Sequence, residues 1–237
     1  MTKGIIYYSD LRPHAKILEA CRQQLIKASN GLPIVSVTLK PFELGTNIVL
    51  ENRERSYPTM LKQIVMALEA LDTDIVFFCE HDVLYSETHF HYTPLTDYIY
   101  YYNINNWRWD IKQDFAITYD GLHSLSGLCC YRLLALKHFR DRLNYVEAKG
   151  WDKQRAREPR WGRVMGYEPG TKPRRRGGFT DETFETWKSA KCNVDIRHKN
   201  TFSAPKIKLS DFKHQPTNWK QIQMENIPDW DLKSLFP

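Results

Sequence analysis

The stretch "SYPTMLKQIVMALEALDTDIVFFCEHD", residues 56–82, combines a predicted helix, a predicted strand and a group of charged side chains. Ser56 is a favourable N-cap, Pro58 suits the first helical turn, and apolar residues then recur with helical spacing. After a short polar loop, the uncharged run "IVFFC" at 75–79 predicts a buried strand. A helix that leads directly into a buried strand is the repeating unit of a parallel sheet.

The residues before this stretch repeat the same pattern. Runs at 4–8 and 34–39 predict two strands, and apolar residues at helical spacing between them predict a helix. The first 85 residues therefore predict the order β-α-β-loop-α-β, which is typical of a mainly parallel sheet with helices on both faces. We predict an α/β fold with a Rossmann-type mixed sheet, in which residues 1–85 form a nucleotide-binding half.

The second half of the chain is less regular. Residues 86–210 predict short strands and further helix, and we assign them to an acceptor half of the same domain. Lys and Arg residues are concentrated at 153–176, where Pro and Gly interrupt the sequence and no core periodicity is visible. This composition predicts a long mobile loop that acts as a lid on the acceptor side. Residues 211–237 predict a polar C-terminal tail outside the domain of residues 1–210.

Composition limits the classes of protein to which the chain can belong. Hydrophobic residues make up 42% of the 237 residues, enough for a buried core, and the net charge of +6 fits a polyanionic partner or simply a soluble protein. The N-terminus lacks a signal-peptide pattern, and no apolar run approaches the ~20 residues of a membrane span. Five cysteines without a CxxC pair predict buried thiols in a reducing cytoplasm. We therefore expect a cytoplasmic protein with no membrane span.

Polar residues follow several of the predicted strands. Ligands of open α/β sheets lie beyond the carboxyl ends of the strands, so these residues predict one shared crevice. Arg53 and Arg55 are suited to the phosphates or the base of a nucleotide, although ordinary solvated charges before a helix explain them equally well. Asp10 is suited to the ribose or the base, Tyr8 to packing on the base, and the small-residue turn at 126–127 to close approach of a sugar. The candidates for donor contacts are Tyr8, Asp10, Arg53, Arg55, Ser126 and Gly127.

Glu80 and Asp82 form an acid-x-acid pattern at the end of the strand at 75–79. Alternation along an extended backbone would project both carboxylates to one side, where they can share a divalent cation or its waters. Oxygen ligands suit Mn²⁺ or Mg²⁺, and a solvated turn is the common alternative for such a short pattern. His81, between the two acids, would point away from the metal, and we interpret it as structural.

Two later segments, "GGFTDETF" at 177–184 and "DIRHKNTF" at 195–202, change the interpretation of these acids. In combination with the acid-x-acid pattern, the chain resembles nucleotide-sugar glycosyltransferases of the GT-A fold. The two segments are similar to the Gly-Gly-Glu-Asp-Asp and Ile-Arg-His segments of β-1,4-galactosyltransferase-like enzymes. The stretches "EHDVLYSETHFHYTP" and "YYNINNWRW" also resemble a group of small bacterial and phage glycosyltransferases. The resemblance covers most of residues 4–203 and implies a GT-A-like arrangement of the predicted sheet.

The resemblance implies roles for individual residues. Asp82 would be a direct ligand of Mn²⁺ or Mg²⁺, Glu80 a ligand or a holder of water, and His198 the second protein ligand. A lone His between Arg and Lys is otherwise more often a surface residue. Asp181 would be the base that accepts a proton from the acceptor hydroxyl, and a single base implies inversion. An aromatic residue and a threonine precede Asp181 where the family has a Glu, so either Asp181 or Glu182 is the base, and we prefer Asp181. The donor would be a UDP-sugar.

The acceptor is predicted from charge and aromatic content. Trp107 and Trp109 flank an arginine, and their rings could stack on a sugar or a base, or could belong to the core. The cations of the segment 153–176 could bind phosphates. The candidates for acceptor contacts are Trp107, Trp109, Trp161, Arg174, Arg175 and Arg176. We hypothesise that the acceptor is DNA with hydroxymethylated pyrimidines, as phage-type DNA glycosyltransferases modify, with the base exposed or flipped out.

Two other functions remain open at this point. The same chemistry could act on a cell-surface glycan or its lipid-linked precursor, although the basic segment is too interrupted by Pro and Gly for a membrane-binding helix. A nucleic-acid-binding protein without catalysis would explain the charge and the Trp residues. It would leave Glu80, Asp82, Asp181 and His198 unrelated to one another.

Overall fold

A computed structural model of the protein describes residues 1–149, 168–171, 183–201 and 206–236 of the chain. In chain order, the strands are β1 (Lys3–Ser9), β2 (Ile34–Thr38), β3 (Thr46–Val49), β4 (Ile75–Cys79), β5 (Val83–Leu84), β6 (Ile99–Asn103), β7 (Asn106–Asp110), β8 (Phe115–Thr118), β9 (Leu128–Tyr131), β10 (Thr183–Trp187), β11 (Asn193–Arg197) and β12 (Lys220–Gln223). The α-helices are α1 (Ala15–Ser29), α2 (Tyr57–Ala70), α3 (Arg132–Lys149) and α4 (Leu232–Leu235).

The first sheet contains seven strands in the order β10-β6-β9-β4-β1-β2-β3. Strands β4, β1, β2 and β3 pair in parallel, as do β6 and β10, whereas β9 is antiparallel to both of its neighbours. The predicted α/β fold with a mixed, mainly parallel sheet is therefore confirmed. The carboxyl ends of β1 and β4 lie side by side, which brings the residues after Ser9 and Cys79 together.

Helix α2 forms for the reasons that its sequence indicates. The Ser56 side chain accepts a hydrogen bond from the backbone N–H of Thr59 at 3.2 Å, and a proline stands in the first turn. The apolar stripe that includes Leu61, Ile64 and Leu68 is fully buried in the largest core cluster, on one face of the first sheet. This packing fixes the N-terminus of α2 beside the carboxyl end of β1.

A second sheet of five strands, in the order β12-β8-β7-β11-β5, packs beside the first. Its side chains alternate between two different environments. One face packs on Ile17 and Cys21 of α1, and its core residues are Leu84, Trp107, Trp109, Ala116, Val194 and Ile196. On the opposite face, Arg108 of β7 stands beside Asp195 of β11. The second sheet is thus apolar on one face and charged on the other.

The C-terminal segment is part of this fold. Strand β12 pairs with β8, and Leu232 of α4 and Ile227 are 1% and 3% exposed in the core of the second sheet. The prediction that residues 211–237 form a tail outside the domain is therefore wrong for the described residues 211–236. Short amphipathic strands with polar flanks resemble irregular chain in a sequence, and only their pairing partners reveal them.

All five cysteines are buried and none of them forms a disulfide bond, as their sequence context predicted. Among the described residues, no α-helix has both the length and the apolar character needed to cross a bilayer.

Candidate active site

A cavity of about 260 Å³ opens where the two sheets meet. Its walls come from the end of β1, the N-terminal part of α2, the turn after β4 and the charged face of the second sheet. The residues at 80–82 occupy the connection between β4 of the first sheet and β5 of the second, so they lie at the junction of the two walls. This placement agrees with the crevice predicted from the strand ends.

Three side chains at this junction could hold a metal ion. One ligand atom from each of His81, Asp82 and His198 lies within 4.8 Å of the other two. Nε2 of His198 is 3.4 Å, and Nε2 of His81 is 3.9 Å, from Oδ2 of Asp82. His198 follows β11, so residues far apart in the sequence meet across the connection between the sheets. The predicted proximity of Asp82 and His198 is present in the structure.

The interpretation of His81 as a structural residue that points away from the metal is wrong. It assumed that strand alternation continues through the acids, but β4 ends at Cys79 and a turn begins at His81. The turn directs the His81 ring to the side of Asp82. Nδ1 of His81 lies 2.6 Å from the Ser9 hydroxyl, and if Nδ1 donates to that oxygen, Nε2 keeps a free lone pair for a metal.

Glu80 has a different environment from Asp82. Its Oε1 accepts a hydrogen bond of 2.6 Å from the Tyr8 hydroxyl, and it does not belong to the ligand group found among the described residues. Burial, followed by the charge of Asp82, raises the pKa of Glu80 to about 8. A carboxyl group of this kind is largely protonated at neutral pH, which suits hydrogen bonding better than direct coordination.

The electrostatics of the ligand group favour a metal. Burial acts to raise the pKa of Asp82, but the neighbouring His81, a contact from His198 and the charge of Arg197 together hold the pKa below its usual value. Burial lowers the pKa of His81, which keeps the ring neutral and able to donate its lone pair. Nε2 of His198 is buried and faces Oδ2 of Asp82 at 3.4 Å, without a well-formed hydrogen bond to any of the described residues.

One contact must change when an ion binds. The backbone N–H of Asn200 donates to Nδ1 of His198 at 3.2 Å, which leaves the proton on Nε2. Coordination through Nε2 requires that proton to leave, so the loop after β11 has to adjust around His198. With that adjustment, two imidazoles and one carboxylate fit a divalent first-row metal. Such a set is less suited to Mg²⁺, which prefers oxygen ligands.

The predicted donor residues are divided by the structure. Tyr8, Asp10 and Arg55 line the cavity, whereas Arg53 is an exposed residue outside its lining. Nε of Arg55 lies 2.8 Å from Oδ2 of Asp10, and its NH2 group donates to the carbonyl of Asn200 at 3.0 Å. Arg55 therefore joins the nucleotide-binding half to the loop that carries His198.

Ser126 and Gly127 lie behind the cavity wall rather than on it. Ser126 is 3% exposed, and neither residue is among those that line the cavity. A Cβ at position 127 would lie 2.9 Å from the carbonyl oxygen of Asn103, so Gly127 is required by backbone packing. Their neighbours Ser124 and Leu125 do line the cavity, so the predicted turn reaches the site through the residues before it.

The structure places Trp107 and Trp109 in the core, the alternative that the sequence left open, and not on the cavity wall. Both rings belong to the core of the second sheet, with 7% and 3% exposure, because strand alternation turns them away from the cavity. The same alternation directs Arg108, between them, to the cavity wall. The remaining candidates lie outside the described residues: Trp161, Arg174, Arg175, Arg176, Asp181 and Glu182.

Two arginines of the site were missed in the sequence. Arg108 of β7 and Arg197 of β11 line the cavity and share one carboxylate, that of Asp195. Their signal was present in the alternation of "NWRWD" and "NVDIR", where Arg108 and Asp195 each stand between two apolar residues and Arg197 continues the alternation. Such a pattern predicts a strand with one apolar face and one face that is polar.

Comparisons with known proteins identify similar chains but no family. No protein family matches the sequence, and no curated protein is similar to it. The glycosyltransferase GlyE of Streptococcus pneumoniae TIGR4, in its apo form, is 9% identical over 64% of this chain, with a TM-score of 0.39. A glycosyltransferase involved in glycosylation of the major capsid of PBCV-1 is 9% identical over 82% of this chain and 93% of its own, with a TM-score of 0.48.

The bifunctional IspDF of Campylobacter jejuni is also similar, with 9% identity over 81% of this chain and 50% of its own, and a TM-score of 0.37. This chain spans only 40% of the apo GlyE chain. Likeness at this level carries no argument about activity. The function has to be argued from the residues of the site.

Proposed function

We propose that the protein is a metal-dependent, inverting glycosyltransferase that transfers a sugar from a UDP-sugar to an acceptor hydroxyl. The observation that carries this proposal is the convergence of His81, Asp82 and His198 within 4.8 Å, beside the strand ends of an α/β sheet. Ligands of such sheets bind at this edge, and nucleoside diphosphates commonly bind there with a divalent cation.

Each residue has a role in this scheme. His81, Asp82 and His198 would hold the cation, preferably Mn²⁺, and the bound cation would neutralise the charge of the departing nucleoside diphosphate. Asp181, or alternatively Glu182, would accept the proton of the attacking hydroxyl. Glu80 and Tyr8 form a hydrogen-bonded pair beside the ligands and would hold the turn in position.

The donor would lie along the wall formed by β1 and α2. Asp10 and Arg55 stand at its polar end, while Leu39 and Met60 give it an apolar patch against which a base can pack. Gln63 is held by the carbonyls of Ser9 and Val37 and fixes this part of α2 against the strand ends. An apolar wall with a few fixed polar groups is typical of a nucleotide pocket.

We further propose that the acceptor is a hydroxymethylated pyrimidine in DNA, as in a phage-infected bacterial cell. The net charge of +6 and the cations at 153–176 support a polyanionic acceptor. The buried cysteines, which form no disulfide bond, are compatible with the reducing cytoplasm in which such DNA would be modified. A base would have to leave the duplex to bring its hydroxyl to the cavity.

The metal and donor parts are tested by thermal unfolding with UDP and Mn²⁺, alone and together. A ligand at 100 times its Kd raises the free energy of unfolding of the protein by about 2.7 kcal/mol, which for a chain of this size raises the Tm by roughly 5–10 °C. The shift should require both additions, should be smaller with Mg²⁺, and should be absent in Asp82→Asn. A protein that shows no shift with any nucleotide and metal is not this enzyme, and a purely DNA-binding protein would behave in that way.

The acceptor is tested separately by mass spectrometry. Hydroxymethyl-containing DNA is incubated with a panel of UDP-sugars and Mn²⁺, and unmodified DNA of the same sequence is the control. Transfer adds the mass of one sugar per modified base. If the nucleotide and metal stabilise the protein but no donor changes the mass of the DNA, the acceptor belongs to another class, such as a glycan.

A further inference from the structure

The charged face of the second sheet forms the wall of the cavity opposite the proposed donor side. Arg108 and Asp195 are register partners on the parallel strands β7 and β11, so their side chains emerge on the same face. Arg197 follows Asp195 by two residues and shares that face. The donor side comes from β1 and α2 of the first sheet, and Asp82 lies at the connection between the sheets.

The two arginines on this wall are incompletely paired with protein groups. Nε of Arg108 is 3.4 Å and NH2 of Arg197 is 3.0 Å from the same oxygen, Oδ2 of Asp195. A second contact of Arg108, to the carbonyl of Lys206, is also 3.4 Å long. Nε of Arg197 is buried and has no hydrogen-bond partner among the described residues.

Incomplete pairing of this kind is costly unless a further acceptor of hydrogen bonds binds. Two guanidinium groups have ten N–H donors between them, about five each, and one carboxylate cannot accept them all. Buried charges in native proteins are normally paired. An oxyanion on the cavity side of Arg108 and Arg197 would accept the remaining hydrogen bonds, and guanidinium groups bind phosphate and carboxylate groups in a bidentate manner.

An aromatic cluster adjoins the arginines on the same face. Tyr119 and Trp219 occupy the pair that follows Thr118 and Lys220 on β8 and β12, and their rings stack with centroids 5.9 Å apart. Phe212 packs edge-on against both rings, at 5.1 Å and 5.5 Å. All three aromatic residues are half-buried rather than part of a closed core.

Lys206 connects the cluster to the arginines. Its carbonyl accepts the long hydrogen bond from Arg108, and its ammonium group lies 5.1 Å from the centre of the Phe212 ring. The face therefore presents a pair of guanidinium groups next to an accessible aromatic platform. Aromatic platforms beside cations are the means by which proteins bind single nucleotides, through stacking on the base and contacts to the phosphate.

We propose that this face is the acceptor subsite, in which Arg108 and Arg197 bind the phosphate of a nucleotide and Tyr119 and Trp219 stack with its base. This inference rests on the proposed glycosyltransferase function and specifies the substrate class of its acceptor side. Tyr119 and Trp219 take the stacking role that the sequence analysis assigned to the two tryptophans of β7, which strand alternation places in the core. It also makes Arg108 a determinant of acceptor choice and not of donor binding.

The test compares acceptor fragments that differ by one charge. Binding of 5-hydroxymethyl-2′-deoxycytidine and of its 5′-monophosphate is measured by calorimetry, with and without UDP and Mn²⁺. The wild-type protein should bind the monophosphate at least ~10-fold more tightly, corresponding to one charge-assisted contact. Arg108→Gln should abolish that preference, Arg108→Lys should restore part of it, and both should retain the thermal shift with UDP and Mn²⁺.

Two further variants separate the parts of the subsite. Trp219→Ala should weaken the binding of the nucleoside and of the monophosphate by a similar factor of about 10, because stacking does not depend on the phosphate. Arg140→Gln is the matched control and should change neither affinity. It removes an exposed arginine of α3 that pairs with Glu69 of α2. Circular dichroism of every variant verifies that it is folded.

Several results would overturn the proposal. Equal affinity of the wild-type protein for nucleoside and monophosphate would exclude a phosphate site. Loss of the shift with UDP and Mn²⁺ in both Arg108 variants would assign the arginines to the donor diphosphate. A preference for glucuronic acid over glucose without one for the monophosphate would make the anion a sugar carboxylate. A different outcome separates the subsite from the reaction: if the wild-type protein fails to respond to UDP and Mn²⁺ yet prefers the monophosphate, the proposed reaction is wrong while the nucleotide subsite is supported.

Discussion

His89 provides the most direct test of how the two sheets are held together. Its ring is 0% exposed and lies among Phe77, Phe90 and Trp187, and burial lowers its pKa from 6.5 to about 3. Nδ1 of His89 faces the side-chain amides of Asn103 on β6 and Asn193 on β11, at 3.0 Å and 3.2 Å. The ring thus joins one strand of the first sheet to one strand of the second.

The orientation of both amides explains why the ring has to remain neutral. The side-chain oxygen of Asn103 accepts from the backbone N–H of Asn105, and that of Asn193 accepts from the N–H of Ser86. Each amide therefore turns its NH₂ group toward Nδ1 of His89, which can only accept. A proton on Nδ1 would oppose two N–H donors in a buried site.

The effect on stability can be worked out from these values. Between pH 7 and pH 5 the unfolded chain protonates this ring, which has a pKa of 6.5, while the folded protein does not. The unfolded state then binds more protons, so the free energy of unfolding falls as the pH falls. At 1.36 kcal/mol per pH unit below the unfolded pKa, His89 alone should remove about 2 kcal/mol between pH 7 and pH 5.

Urea unfolding followed by tryptophan fluorescence at both pH values measures this loss. Between pH 7 and pH 5, the free energy of unfolding of the wild-type protein should fall by about 2 kcal/mol more than that of His89→Gln, which has no titrating ring. This difference should hold even if the variant is less stable at pH 7. His91→Gln, on the same short 3₁₀ helix but exposed, is the control and should behave as the wild type. Equal losses in the wild type and His89→Gln, within ~0.5 kcal/mol, would refute a neutral, buried His89.

Three other predictions concern the site and its supports. Arg55→Gln removes the hydrogen bond to Asn200, beside His198, and should weaken Mn²⁺ binding in the presence of UDP by about 10-fold, as loss of groups that orient metal ligands does. Calorimetry measures the affinity, and an unchanged value would contradict this link. Gly127→Ala places a Cβ 2.9 Å from the Asn103 carbonyl oxygen and should lower the free energy of unfolding, measured in urea, by roughly 1–3 kcal/mol. An unchanged free energy of unfolding would mean that the backbone shifts to accommodate the methyl group. Trp109→Ala should lower the free energy of unfolding by about 3–5 kcal/mol without changing the relative affinity for nucleoside and monophosphate. A specific loss of acceptor binding would instead show that this ring contacts the acceptor.

The nucleotide-binding half was predictable because its signals are local. The N-cap at Ser56, the apolar stripe of α2 and the uncharged strand at Ile75–Cys79 each depend on neighbours within a few residues. A parallel sheet follows from their alternation. The meeting of Asp82 with His198 was predicted only through a resemblance to known motifs, since no local pattern relates residues so far apart.

The second sheet was not predictable in the same way. Its strands are two to five residues long, and β12 lies far from its partner β8 in the sequence. The roles of Trp109 and Arg108 depend on which face of β7 meets the core, and this is decided by α1 and the C-terminal segment packing on one side. His81 was misjudged for a related reason, because where a strand stops determines the direction of the next side chain.

The position of the ligand group has a mechanical consequence. Asp82 lies in the short connection between β4 of the first sheet and β5 of the second, and His198 directly follows β11, the neighbour of β5. An ion coordinated by both would act as a clasp between two separately built layers. Binding of such an ion would therefore stabilise the contact between the connection after β4 and the loop after β11.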